Sequence, residues 1–253
     1  MAAVLATEGL NKRFGAVVAA DDVTVTVDAG ERLGVIGANG AGKTTFVNMV
    51  TGYLKPDTGV IRHEGRDITR LSPRHVTRLG IHRSFQIPQI FPELNVLDNM
   101  MIALGIAVAD RPSGWRPLYG ADIAASADDV LMRFSIDEYR DQIVGKLPQG
   151  VRKLLDIAMA MAGETSLLLL DEPTSGVSAD EKSAMMDTIM AALECEGMTL
   201  LFVEHDMEVV ESYAKRVLAF YDGRVIADGP PETVLADADV RNYVVGPELH
   251  RRR

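Results

Sequence analysis

The sequence predicts an α/β fold with a mostly parallel sheet, and three observations predict it. Strand-like and helix-like segments alternate in the last third of the chain, as in sheets covered on both faces by helices. Two apolar runs there end in polar residues, and a glycine-rich loop joins a strand to a helix near residue 40. Of the 253 residues, 47% are hydrophobic and 25% charged, which is typical of a globular chain of one or two domains.

Short strands dominate the first third. Strict alternation predicts a half-buried strand at 23–27, and a continuous apolar run predicts a central strand at 32–36. A helix is expected at about 43–50, a hairpin at 59–63 and 66–68, and a further strand at 81–85. Ser72 followed by Pro73 indicates the start of another helix.

The middle of the chain has a different pattern. Residues 91–162 look mainly helical, apart from 110–120, which are rich in proline and glycine. We expect an inserted helical subdomain at 87–162, and an α/β core formed by 1–86 and 163–253. The core then contains strands at 167–170, 199–204, 217–221 and 225–227, and helices at 179–196 and 206–213. Asp222-Gly223 is a hairpin turn signal.

Charge, cysteine content and the length of the apolar runs argue against several classes of protein. The net charge of -10 argues against nucleic acid as the main partner, and any polyanion must be held by local geometry. The single cysteine, Cys195, excludes an internal disulfide and a cysteine-rich zinc site. The longest apolar run, 100–109, is about half of the ~20 residues that a spanning helix needs. No secretory signal is recognisable, so we expect a cytoplasmic chain.

A phosphate-binding loop is predicted at 37–44, which read GANGAGKT and match G-x-x-x-x-G-K-[ST] between an apolar strand and a helix. Glycines let successive N–H groups point at one anion, and the helix that follows adds the positive end of its dipole. Lys43 is expected to reach the terminal phosphates, and the Thr44 hydroxyl to bind Mg²⁺. The candidate nucleotide ligands here are Gly37, Ala38, Asn39, Gly40, Ala41, Gly42, Lys43, Thr44 and Thr45.

Polar residues also follow three predicted strands. Asp171 and Glu172 follow the strand at 167–170. Asp171 could act as a Mg²⁺ ligand there, and Glu172 could act as the base that polarises an attacking water. His205 follows the strand at 199–204, and Gln86 follows the strand at 81–85. Taken alone, a histidine or an amide at a strand end is more often a solvated surface residue, so His205 and Gln86 are weak candidates by themselves.

The order of these features resembles the nucleotide-binding subunit of ABC transporters, over about residues 5–243. The resemblance implies an ABC-type P-loop core with an N-terminal antiparallel β-subdomain and an inserted helical subdomain. It implies ATP and Mg²⁺ as cofactors, and hydrolysis of the ATP. Two such chains are expected to close head to tail around two ATP molecules.

The resemblance also assigns roles to single residues. Phe14 is implied to stack on adenine, with a core phenylalanine as the alternative. Gln86 is implied to sense the γ-phosphate, to complete the metal shell with Asp171, and to relay to the membrane subunits. Glu172 is implied to be the catalytic glutamate, and His205 the histidine that braces the γ-phosphate.

The family's signature motif, L-S-G-G-Q, is altered here to LPQGV at 147–151. The hydroxyl and one glycine are lost, and Pro148 is expected at the first helical position. Gln149 and Gly150 remain candidates for contacting the ATP of a second copy, with the Gln149 amide partly replacing the hydroxyl. We therefore expect a weaker phosphate contact and, beside a different ATPase, one efficient and one slow site.

Within the family, the wording at 83–86, 90–99, 203–207 and 228–232 is similar to the ATPases of branched-chain amino-acid importers. Urea or amide importers and lipopolysaccharide exporters stay open as alternatives, as do a soluble non-transport ABC ATPase and a plain P-loop switch. The implied partners are membrane permease subunits, a second identical or different ATPase subunit and, indirectly, a solute-binding protein. The chain would then lie peripherally on the inner face of the membrane.

Overall fold

The computed structural model describes residues 3–109, 120–194 and 197–245. The expectations for Cys195 and for 110–119 of the proline- and glycine-rich segment lie outside these residues. In the described part, no helix is long and apolar enough to cross a membrane.

The first of two sheets is antiparallel and has four strands, in the order β2-β1-β4-β5. Its strands are β1 (Ala3–Phe14), β2 (Val17–Asp28), β4 (Thr58–His63) and β5 (Arg66–Asp67). Alternation at 23–27 located only part of β2. No such alternation marks β1, because several bulges in the β1–β2 register break the two-residue period of the strand. The N-terminal antiparallel subdomain is confirmed.

The second sheet has six strands, in the order β10-β9-β3-β8-β7-β6. They are β3 (Arg32–Gly37), β6 (Ile81–Ser84), β7 (Leu167–Asp171), β8 (Thr199–Val203), β9 (Arg216–Tyr221) and β10 (Arg224–Gly229). Every pairing is parallel except the β9–β10 hairpin, so the predicted mostly parallel sheet is confirmed. The carboxyl ends of β3, β6, β7 and β8 therefore meet at one edge.

Nine α-helices are described. They are α1 (Lys43–Val50), α2 (Pro73–Arg78), α3 (Val96–Ala109), α4 (Ala121–Arg133), α5 (Gln149–Ala160), α6 (Ala179–Glu194), α7 (Met207–Tyr213), α8 (Pro231–Ala236) and α9 (Ala238–Val240). Helices α3, α4 and α5 lie between β6 and β7, inside the range 87–162 that we propose as the helical subdomain. Pro148 is the N-cap of α5 and not its first helical residue, which corrects the expectation.

The parallel sheet separates two hydrophobic cores, and the four leucines of β7 show how. Leu168 and Leu170 pack into the core shared with α3 to α7, whereas Leu167 and Leu169 pack into the core beneath α1 and the antiparallel sheet. Since successive strand residues point to opposite faces, a continuous apolar run is what such a strand requires. The burial of β7 fixes where Asp171 and Glu172 emerge.

Candidate functional site

The phosphate loop follows β3 and opens α1. Gly42 is the N-cap of α1 with φ 107°, and a Cβ there would lie 2.6 Å from the carbonyl oxygen of Ala19, so only glycine fits. Lys43 is buried, and its Nζ donates to the carbonyl oxygens of Gly37 at 2.6 Å and Ala38 at 3.0 Å. The loop thus wraps around its own lysine.

Two electrostatic features of this loop bear on anion binding, the environment of Lys43 and the first turn of α1. Burial lowers the pKa of Lys43, and the charges of Glu172 and Asp171 oppose that shift. Helix α1 has neither a side-chain cap nor an acidic residue in its first turn, so its first N–H groups and positive dipole end are not neutralised locally. Thr44 is exposed and Thr45 half-buried on the same turn, which leaves their hydroxyls available beside this end.

Glu172 lies between two other predicted site residues. Gln86 donates from Nε2 to Oε2 of Glu172 at 2.9 Å, and His205 Nε2 lies 3.0 Å from Oε1. The Glu172 main chain is in the left-handed region, φ 51°, and its N–H donates to the carbonyl of Val203 at 2.9 Å. The structure therefore brings Gln86, Glu172 and His205 together from the ends of three neighbouring strands.

Asp171 is held by a residue to which the sequence analysis gave no role. Arg83 donates from Nη2 to Oδ2 of Asp171 at 2.6 Å and from Nη1 to Oδ1 of Asn48, also at 2.6 Å. The side chains of Arg83 and Asp171 expose only 7% and 11%. A basic residue inside a short strand of a parallel sheet was the available signal, because such a charge needs a buried partner.

The donor set suits Mg²⁺. The Asp171 carboxylate and the Thr44 hydroxyl are hard oxygen ligands, and Mg²⁺ is usually held by one or two carboxylates together with substrate phosphates and water. In the described part of the chain, no group of three or more acidic, histidine or cysteine side chains is arranged to hold a metal. These residues fit a metal that arrives with a nucleotide.

Phe14 ends β1 on the surface. Its side chain is 51% exposed, with Lys12 Nζ 5.7 Å from the ring centroid, so it is not a core phenylalanine. An exposed ring is free to stack on a planar ligand.

The altered signature segment lies at the start of α5. Gln149 is exposed, and its Nε2 donates to the Ser175 carbonyl at 3.4 Å, the long end of the hydrogen-bond range. In this chain the Gln149 amide thus faces the segment after Glu172. Gly150 is half-buried. The contact of Gln149 and Gly150 with the ATP of a second copy stays a prediction.

Glu204 is a further residue without an assigned role, although it precedes His205. It is buried, and its Oε1 accepts from the N–H and the hydroxyl of Thr174 at 2.8 and 2.7 Å. This ties the segment after Glu172 to the end of β8. The sequence signal for this residue was a carboxylate directly after an apolar strand, where a buried charge needs a hydrogen-bond partner.

Known proteins are similar to this chain in sequence and in fold. The sequence profile described as "ABC transporter" matches residues 20–175. A probable branched-chain amino acid transport ATP-binding protein of Archaeoglobus fulgidus is 35% identical, over 96% of this chain and 95% of its own length. The high-affinity branched-chain amino acid transport ATP-binding protein BraF of Pseudomonas aeruginosa is 30% identical, over 96% and 98%.

The fold agrees with solved structures. A crystal structure of the ADP conformation of an ATP-binding cassette of an ABC transporter superposes with a TM-score of 0.82, at 30% identity, covering 95% of this chain and 97% of that one. A nucleotide-free cassette from an ABC transporter also gives 0.82. The profile match, the near full-length relatives and the phosphate loop beside Glu172 agree. This chain therefore belongs to the ABC transporter family, as an ATPase subunit.

Proposed function

We propose that this ATPase, with Mg²⁺, powers the import of branched-chain or related amino acids. One observation carries the proposal: the relatives named for branched-chain amino acid transport match 96% of this chain, at 35% and 30% identity. A match over the full length includes the helical subdomain as well as the nucleotide site.

Different site residues perform different steps of ATP hydrolysis. The loop amides and Lys43 hold the phosphates, while Thr44, Gln86 and Asp171 would hold Mg²⁺, which neutralises charge on the phosphate oxygens. Glu172 accepts the proton of the attacking water. His205 and Gln86 orient the Glu172 carboxylate, as their 3.0 and 2.9 Å contacts suggest. Positioning and charge neutralisation are what phosphoryl transfer needs from a protein.

This chain has a groove in which a permease subunit could dock. A cavity of about 740 Å³ lies between the α/β core and the helical subdomain, and its lining is mixed, with Phe85, Phe91, Ile106 and Met159 among the apolar residues. Its lining also contains Arg83 and Gln89, on either side of Gln86. A permease segment in this groove would contact the chain segment that carries Gln86. The chain would then lie peripherally on the cytoplasmic face of the membrane.

Two further partners complete the proposed assembly. A second ATPase subunit, identical or different, would place its ATP against the start of α5, where Gln149 and Gly150 lie. A solute-binding protein would contact the permease and reach this chain only indirectly.

Transport in vesicles tests the solute. The chain is purified with the membrane proteins that accompany it and reconstituted with their binding protein. We expect Mg·ATP-dependent uptake of labelled leucine, isoleucine and valine, and loss of uptake in Glu172→Gln. Uptake of urea or another amide without leucine uptake, or movement of lipid out of the inner leaflet, would contradict the proposal.

A further inference from the structure

A buried lysine of α5 contacts the main chain of the catalytic glutamate. Lys153 exposes only 4% of its surface, and its Nζ donates to the carbonyl oxygen of Glu172 at 2.8 Å. Burial lowers the pKa of Lys153, and the charges of Glu204, Glu172 and Asp156 oppose the shift. A lysine is seldom placed in an apolar interior without a specific partner, and here that partner belongs to the catalytic residue.

The Glu172 main chain needs such a partner. With φ 51°, it adopts a conformation that side-chain-bearing residues seldom take and keep only where their surroundings determine it. Three hydrogen bonds do so: one from the Glu172 N–H to Val203 at 2.9 Å, one from Lys153 to the Glu172 carbonyl, and one from the Ser175 N–H to that same carbonyl at 3.1 Å, which closes a local turn. The first joins Glu172 to β8 within the sheet. The second joins it to the helical subdomain.

The same helix also contacts the segment that carries Gln86. Asp156, one turn beyond Lys153, is buried and accepts from Ser84 Oγ and from the Gln89 N–H, each at 2.6 Å. Residues 84 and 89 flank Gln86 on both sides. Thus α5 is bonded both to Glu172 and to the segment of the glutamine that donates to it.

From these contacts we infer that Lys153 is a positioning residue for hydrolysis, which holds the Glu172 main chain so that its carboxylate faces Gln86 and His205. Asp156 keeps α5 in register with the segment of Gln86. The inference rests on the hydrolytic part of the proposed function, and not on the transported solute. Movement of α5 would then change the orientation of the catalytic carboxylate.

Lys153→Met tests the inference, since it removes the donor and keeps most of the apolar stem. The chain is purified with its membrane partners, and ATP turnover and nucleotide binding are measured. We expect kcat to fall about tenfold or more, the loss typical of a charge-assisted hydrogen bond, with KM for ATP and nucleotide affinity unchanged. Arg152→Met is the matched control: it lies on the same helix, and its Nε has no hydrogen-bond partner in the described part of the chain.

A double variant separates positioning from a purely structural role. If Lys153 acts through Glu172, the kcat loss in Lys153→Met/His205→Ala is smaller than the product of the two single losses, because both residues orient one carboxylate. Losses that multiply, or an unchanged kcat in Lys153→Met, overturn the inference. If Lys153→Met does not fold, Lys153→Gln replaces it, since its amide is too short for the same contact. The hydrolysis assay tests the role of Lys153 even if the amino-acid uptake experiment fails, so the two proposals can be refuted separately.

Discussion

His205 Nε2 lies 3.0 Å from Oε1 of Glu172, and the opposite oxygen of that carboxylate accepts from Gln86 at 2.9 Å. The three residues follow β8, β7 and β6, which are adjacent parallel strands. Sites at the carboxyl edge of such sheets are assembled from strand ends that lie far apart in the chain. One carboxylate thus has hydrogen-bond partners from the ends of both neighbouring strands.

Replacing Glu172 with Gln should abolish turnover and spare binding. The amide keeps the shape of the side chain but cannot accept a proton from water, so hydrolysis should fall by about 10²–10⁴-fold. Phosphate release and binding of a fluorescent ATP analogue measure the two effects. Glu232→Gln, on the exposed start of α8, is the control and should behave like the unaltered chain. Normal turnover in Glu172→Gln would refute its role as the base.

Lys43→Ala should weaken Mg·ATP binding. Charge-assisted hydrogen bonds contribute about 1.5–3 kcal/mol, which corresponds to roughly a tenfold to hundredfold loss of affinity. Titration calorimetry measures this loss directly. Lys146→Ala removes an exposed lysine and should bind normally. Unchanged affinity in Lys43→Ala would show that the loop does not hold the phosphates as argued.

Phe14→Ala should weaken ATP binding but not triphosphate binding. Stacking of an aromatic ring on a base contributes about 1–3 kcal/mol, and inorganic triphosphate has no base to stack. Since Phe14 is half exposed, the free energy of unfolding should change by less than about 0.5 kcal/mol. Phe14→Trp serves as the control and should retain ATP affinity. An equal loss for both ligands would place the effect in the loop and not in stacking.

Asp156→Asn should change how stability depends on pH. Burial raises the pKa of Asp156 above its ordinary value of 3.8, so the unfolded chain releases this proton first. The free energy of unfolding therefore decreases as pH rises from about 3.8 through the raised pKa of the folded state. Asparagine can still accept from Gln89, while the Ser84 hydroxyl turns to accept from the new amide.

The measurement for Asp156→Asn is urea unfolding between about pH 4 and pH 7. The stability of the variant relative to the unaltered chain should rise across this window. Asp57→Asn is the control: the hydrogen bond from Lys12 lowers the pKa of Asp57, so its contribution changes mainly below about pH 3.8 and its relative stability should stay nearly flat across this window. A relative stability of Asp156→Asn that stays flat or falls with pH would contradict the argument.

Beside a different ATPase subunit, the two nucleotide sites should hydrolyse at unequal rates. The phosphate loop of this chain would face the partner's signature segment, whereas the partner's loop would face the altered residues 147–151. Single-turnover rates are measured with Glu172→Gln in one subunit and with the equivalent glutamate changed in the other. We expect Glu172→Gln to remove the faster phase. Two equal rates would contradict the expectation.

Much of this protein was determined by local sequence. The phosphate loop, the carboxylates at the end of β7 and the helical range all carry short-range patterns, because chemistry at a strand end requires particular residue types at fixed spacing. Continuous apolar runs also identified β7 and β8 as buried strands. Strand β1 was missed because its bulges interrupt the alternation.

Tertiary structure alone decided which of these residues meet. That Arg83 pairs with Asp171, and that Lys153 reaches the carbonyl of Glu172, depends on how β6, β7 and α5 pack together. No local pattern specifies such partners, since they are separated by 88 and 19 residues along the chain. A buried charge in the sequence indicates only that some partner exists. The packing of the sheet and helix selects it, because the cost of leaving that charge unpaired is paid only in the folded interior.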